Sequence, residues 1–192
     1  MSQTRTVAVI VGSLRKGSFN RKAAHALAKL APSNLRLEIV EIGDLPLYDE
    51  DVEAASAPAE WSRFRKEVKA SDAVLFVTPE YNRSVPGALK NAIDIGSRPY
   101  GASVFAGKPA AVMSLSPGSI GGFGANHHLR QSLVFLDMPV LQQPEAYVSG
   151  AGSLFDDDGN LVAEGTQAFF KAFIDAFAAL IERHAAPHAL HG

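Results

Sequence analysis

Residues 6–20 read Thr-Val-Ala-Val-Ile-Val-Gly-Ser-Leu-Arg-Lys-Gly-Ser-Phe-Asn, and their order decides the fold. Thr6–Val11 is a nearly continuous apolar, β-branched run of strand length, the pattern of a strand buried on both faces of a parallel sheet. Gly12–Asn20 then turns the chain, and the alanine-rich stretch Asn20–Leu30 reads as a helix. Strand, small-residue loop and helix in that order open a βαβ unit.

The same alternation continues along the chain. Ala73–Thr78 (AVLFVT) and Ala110–Leu115 (AAVMSL) repeat the continuous apolar character, whereas Arg36–Ile42 (RLEIVEI) alternates and suits a strand nearer an edge. A weaker fifth run, Pro139–Leu141, precedes the loop Gln142–Glu145. Helical patterns separate these runs: Ala59–Ala70 with Trp61, Phe64 and Val68, Gly87–Ile95 with Leu89 and Ile93, and Asn126–Leu136 with Leu129, Leu133 and Leu136. The last helix carries Phe169, Phe170, Phe173, Phe177, Leu180 and Ile181 as one stripe, a core-packing face and not a ligand surface. Five strand–helix alternations predict a doubly wound α/β three-layer sandwich with a five-stranded parallel sheet of order 2-1-3-4-5.

Composition narrows the functional classes. The chain has 192 residues, enough for one good-sized core, and no cysteine. A disulfide scaffold, a thiolate zinc site, an Fe–S cluster and a cysteine nucleophile are thereby excluded. Eighteen basic and twenty acidic residues leave a net charge of −2 with no basic block, so a nucleic-acid partner has no footprint. The apolar run Val7–Val11 is far short of the about 20 residues that span a bilayer, and Met1–Thr6 is not strongly basic. A cytoplasmic protein without a membrane partner is the expectation. One domain over residues 1–184 is expected, with 185–192 as a disordered tail; His184–Gly192 lacks apolar periodicity.

In such a sheet, ligands bind at the carboxyl ends of the strands near the switch point between the first and third. The first loop, Gly12–Asn20, brings Ser13, Arg15, Ser18 and Asn20 to a helix N-terminus, where N–H groups and the helix dipole favour a phosphate. Gly12-x4-Gly17 imitates a Walker A loop, but Ser18 stands where its lysine belongs; the G-x-G-x-x-G fingerprint is absent as well. A capped turn with Ser18 or Asn20 as the N-cap is compatible with phosphate binding. The second loop, Thr78–Gly87, holds Glu80, Tyr81 and Asn82 in a segment bracketed by Pro79 and Pro86. It suits backbone recognition of a flat polar ring, with an acid–base role for Glu80 and Tyr81 as the alternative. The third loop, Ser116–Gly122, has Gly118, Gly121 and Gly122 and permits close backbone approach, or forms a surface turn. Adjacent His127 and His128 point in different directions on a helix, which suits surface or interface positions better than a metal pair.

These motifs together resemble the NADPH-dependent FMN reductase family, which has a flavodoxin-like fold and includes bacterial quinone, chromate and azo-dye reductases. The resemblance rests on Gly-Ser-Leu-Arg-x-x-Ser-x-Asn after the first strand, Thr-Pro-Glu-Tyr-Asn after the third, Lys90–Asp94 and the Ser-Pro-Gly…Gly-Gly loop, and runs from about Val7 to about Ile181. It implies that Ser13, Arg15, Ser18 and Asn20 hold the FMN phosphate. Pro79, Glu80, Tyr81 and Asn82 would line the isoalloxazine largely through backbone groups, with Ser116 and Gly118 bordering the same ring. It further implies a ping-pong cycle with NADPH or NADH as donor, a small-molecule acceptor, no essential protein acid or base, and a homodimer or homotetramer. Ile95 departs from the pattern, since many relatives have tryptophan there. Two other readings stand beside it: a flavodoxin-type FMN-binding electron carrier without NAD(P)H activity, and a phosphate-ester-binding enzyme using the first loop alone.

Overall fold

The computed structural model describes residues 4–185. Five strands form one parallel sheet: β1 (Arg5–Val11), β2 (Leu35–Val40), β3 (Ala73–Thr78), β4 (Ala110–Leu115) and β5 (Ala146–Val148). Their order is β2-β1-β3-β4-β5, the predicted one, which makes the fold flavodoxin-like. Every residue of β3 and β4 is buried, while β2 alternates as its edge position requires.

Side chains alternate across these strands and so feed two separate cores. On one face Val7, Val9, Leu75, Val77 and Met113 meet α1 (Phe19–Leu30) and α6 (Glu164–Ala185). On the other, Ala8, Ile10, Phe76 and Val112 meet α3 (Ala59–Ala70), α4 (Gly87–Gly96) and α5 (Phe123–Phe135). The phenylalanine stripe of α6 is core as expected: Phe170, Phe173 and Phe177 are all fully buried. Each such ring contributes about 1.5–3 kcal/mol relative to exposure. Ile95 is also fully buried, within the α3–α4–α5 core.

Three differences from the sequence expectation have physical causes. The fifth strand is Ala146–Val148, not Pro139–Leu141. Val140 makes only an isolated bridge to Ala110, at the start of β4, because Pro139 has no N–H to extend the ladder. The chain then bulges through Gln142–Glu145 and rejoins β4 at its carboxyl end, pairing Ser114 with Tyr147. A short helix, α2 (Glu50–Ser56), was not expected; Asp49 caps it by accepting Asp51 N–H at 2.9 Å, and Glu50, Asp51 and Glu53 complement its dipole. Finally, α6 continues through His184 and Ala185, so both belong to a helix; the rest of the expected tail, 186–192, lies outside the described residues. Among the described residues no helix is long and apolar enough to cross a membrane.

Candidate functional site

Parallel strands place all their following loops at one sheet edge, and β1, β3 and β4 are adjacent, so the three loops singled out in the sequence converge. Contacts between them are close. Gly12 N–H donates to Val77 O at 2.9 Å, and a Cβ at Gly12 would lie 2.8 Å from Thr78 Oγ1. The first and second loops therefore pack backbone against side chain, which only glycine permits here.

In the first loop, Ser18 is the N-cap of α1 and its Oγ accepts Arg21 N–H at 3.2 Å. A turn between Arg15 and Ser18 (Ser18 N–H to Arg15 O, 3.1 Å) leaves Arg15 exposed while Ser13, Ser18 and Asn20 are buried. Asn20 Oδ1 is buried without any hydrogen-bond partner. A buried amide oxygen in that state costs about 1–3 kcal/mol, so this position is unsatisfied by the protein alone.

The second loop is a tight hairpin. Tyr81 and Ser84 exchange both backbone hydrogen bonds at 3.0 Å, with Asn82 and Arg83 at φ of 51° and 64° between them. Two consecutive left-handed residues make a type I′ turn; asparagine tolerates that region, and arginine accepts about 1 kcal/mol of strain. Pro79 is half-buried, and Tyr81 and Asn82 are exposed at the tip. The Glu80 carboxylate turns away from the tip: Oε2 accepts Ala125 N–H at 3.0 Å and Oε1 lies 3.5 Å from Arg83. It supplies the cap that Gly122, at the N-cap position of α5, lacks. That engagement leaves Glu80 poorly placed for the acid–base alternative.

The third loop is organised by Ser116 and two glycines. Ser116 Oγ accepts Gly118 N–H at 3.1 Å, and Ser114 Oγ donates to Gly121 O at 2.8 Å. Gly121 and Gly122 both have positive φ, and a Cβ at Gly121 would meet the Tyr147 backbone carbon at 2.5 Å. The loop is thus pressed onto β5, which brings in a residue that no local pattern marked. Tyr147 Oη lies 2.8 Å from His127 Nε2, and the Glu145 carboxylate stands two residues before it in the chain. Burial and that carboxylate push its phenol up to about 12. His128 engages a different partner, Ser84 Oγ at 2.7 Å, so the two adjacent histidines do not share a ligand.

Asn91 lies within the Lys90–Asp94 stretch of α4. It is buried and holds the loop after β2: it accepts Tyr48 N–H at 2.8 Å and donates to Pro46 O at 3.0 Å. Trp61 Nε1 donates to the same Pro46 O at 3.0 Å. A Cβ at Gly43 would lie 3.5 Å from Leu14, so this loop forms a fourth wall beside the first. The signal available in sequence was an amide at a helix position otherwise facing apolar core.

The edge therefore combines a capped helix N-terminus with an orphaned buried amide, a strained hairpin tip and a glycine-opened loop. That combination suits a phosphate joined to a planar ring. The chain is 68% identical to a quinone reductase of Pseudomonas putida over 182 residues, covering 95% of this chain and 97% of that protein. It is 46% identical to a 2-hydroxy-1,4-benzoquinone reductase of Burkholderia sp, covering 91% and 95%. Among solved structures, it resembles the flavoenzyme NAD(P)H:(acceptor) oxidoreductase FerB of Paracoccus denitrificans with a TM-score of 0.89 and 45% identity, covering 94% and 99%. The family model described as NADPH-dependent FMN reductase matches residues 5–153, and the chain belongs to that family.

Proposed function

We propose that this protein is an FMN-dependent NAD(P)H oxidoreductase that passes electrons to quinones or related small acceptors. The observation that carries the reading is the buried, unpartnered Asn20 Oδ1 beside Ser13 and Ser18 at the start of α1. A ribityl hydroxyl satisfies it as it stands, and a phosphate oxygen satisfies the amide turned over. The residues present thus fit FMN.

In this reading Ser13, Arg15, Ser18 and Asn20 hold the phosphate, with the α1 dipole and a charge-assisted Arg15 contact. Backbone groups of Pro79, Glu80, Tyr81 and Asn82 line the ring, and Ser116 and Gly118 border it. When bound, FMN supplies the hydride and electron transfer between NAD(P)H and the acceptor. The protein orients that chemistry. No side chain is assigned as general acid or base, in keeping with a Glu80 carboxylate engaged by α5. The acceptor is a small molecule, and no nucleic acid or membrane partner is assigned. The net charge of −2 favours a small acceptor over a docked electron-transfer protein.

A cytoplasmic homo-oligomer completes the proposal. Tyr100 and Phe135, 87% and 81% exposed, border a mixed polar and apolar groove between α4 and α5 and offer aromatic surface to a second copy. Adding FMN to the purified protein and mixing anaerobically with NADPH tests the central reading. Bleaching of bound flavin, followed by its return on adding a quinone, is expected; flavin bands that NADPH and NADH both leave unchanged would sink it. Arg15→Ala should weaken FMN retention, and unaltered affinity removes Arg15 from the phosphate site.

A further inference from the structure

Phe123, His127 and Tyr147 form an aromatic cluster that belongs to neither hydrophobic core. Phe123 is the first residue of α5, directly after Gly121 and Gly122, and is 49% exposed. Its ring centroid lies 4.2 Å from that of His127, one helical turn on, and 5.2 Å from that of Tyr147. The rings of His127 and Tyr147 are themselves stacked, 5.7 Å apart at 25°. Tyr147 Oη and His127 Nε2 lie 2.8 Å apart, and this hydrogen bond ties the two rings together behind Phe123. A half-exposed phenylalanine gains nothing from water, yet this one is held rigid by two supporting rings at the rim of the third loop. Rigid aromatic surface binds planar rings at little entropic cost.

Resting on the oxidoreductase reading, we propose that Phe123 is a specificity-determining residue whose exposed face stacks the planar ring of a quinone acceptor, backed by His127 and Tyr147. The position follows from continuity: the Gly121–Gly122 backbone leads from the proposed ring-binding edge straight into Phe123. Ferricyanide is compact and has no flat ring to stack on Phe123. Quinones and ferricyanide should therefore respond differently to loss of the ring.

The test uses the FMN-loaded enzyme with Phe123→Ala, Phe123→Leu and Phe123→Tyr. Calorimetry gives the Kd of 1,4-naphthoquinone for the oxidised enzyme without turnover, and steady-state assays give KM values for naphthoquinone, ferricyanide and NADPH. Alanine and leucine should raise the naphthoquinone Kd and KM by about 2–10-fold, the range of an aromatic pair. Tyrosine should restore both, and the ferricyanide and NADPH values should not move. An unchanged naphthoquinone Kd, equal losses with ferricyanide, or a raised KM for NADPH instead would each overturn the assignment. So would a change of molar mass in light scattering, which makes Phe123 a contact between copies. A wild-type enzyme that does not oxidise NAD(P)H with naphthoquinone overturns the oxidoreductase reading itself.

Discussion

Replacing Glu80 tests whether the second loop and α5 form one mechanical unit. Its Oε2 accepts Ala125 N–H at 3.0 Å, and Gly122 offers no side chain of its own to cap the helix. With the Glu80 side chain only 11% exposed, water cannot readily replace the lost bond. A capping acceptor is worth about 1 kcal/mol, and a negative charge at a partly buried helix N-terminus adds about as much again. The pair with Arg83 adds little, since that guanidinium is 77% exposed. Glu80→Ala should therefore cost about 2 kcal/mol. In a domain of this size each kcal/mol moves the melting temperature by about 2–4 °C, so a fall of about 4–8 °C is expected, and about half that for Glu80→Gln. Circular dichroism melts of the flavin-free protein give the value, and FMN titration follows on the folded variants. Glu80→Gln should retain FMN, because the proposed ring contact uses backbone. A melting temperature for Glu80→Ala within about 1 °C of wild type refutes the cap. A Glu80→Gln protein that melts normally but loses FMN refutes the backbone contact.

Gly121→Ala introduces a Cβ at φ +58° and 2.5 Å from the Tyr147 backbone carbon. Left-handed strain and overpacking together should cost about 2–4 kcal/mol, read as a lower urea midpoint at unchanged slope; an unmoved midpoint contradicts it. Asn91→Ala leaves Tyr48 N–H without its acceptor, at about 1–3 kcal/mol. Trp61, the only tryptophan, shares the Pro46 carbonyl and should shift its emission to the red, whereas identical emission and stability would dismiss the anchor. Tyr147 has a folded pKa raised from 10.0 to about 12, so its stabilisation is complete below pH 10 and lost between pH 10 and about 12. Tyr147→Phe should flatten the alkaline fall in stability and remove the last-titrating tyrosinate absorbance. Some slope remains from Tyr48, which burial and Glu53 also raise. An unaltered alkaline limb would contradict the Tyr147 assignment.

Much of the architecture was legible because it is a local property of the chain. Ala73–Thr78 and Ala110–Leu115 are strands at the predicted boundaries, since burial on both faces demands unbroken apolar character. The alternation in β2 marks its edge position. The fifth strand was misplaced because Pro139–Leu141 and Ala146–Val148 are both short, and only one can pair with the end of β4. Helix α2 leaves no apolar pattern in the sequence because none of its residues is buried, so an acidic cap is its sole mark.

At the sheet edge, the sequence alone determined which loops converge. Parallel strands in a 2-1-3-4-5 order must send the segments after Val11, Thr78 and Leu115 to one side. Residue type then indicated a phosphate cradle in Gly12–Asn20. What a side chain does inside those loops was decided only by tertiary structure. The Glu80 carboxylate could face a ring or a helix, and the start of α5 beside the second loop settles it. Asn91 gained its role from a loop 43 residues earlier, and His127 met Tyr147 across 20 residues through the register of β5. Periodicity records whether a position is buried, but partners across a sheet edge depend on strand register and on where each loop returns. Those quantities arise only when the whole chain packs.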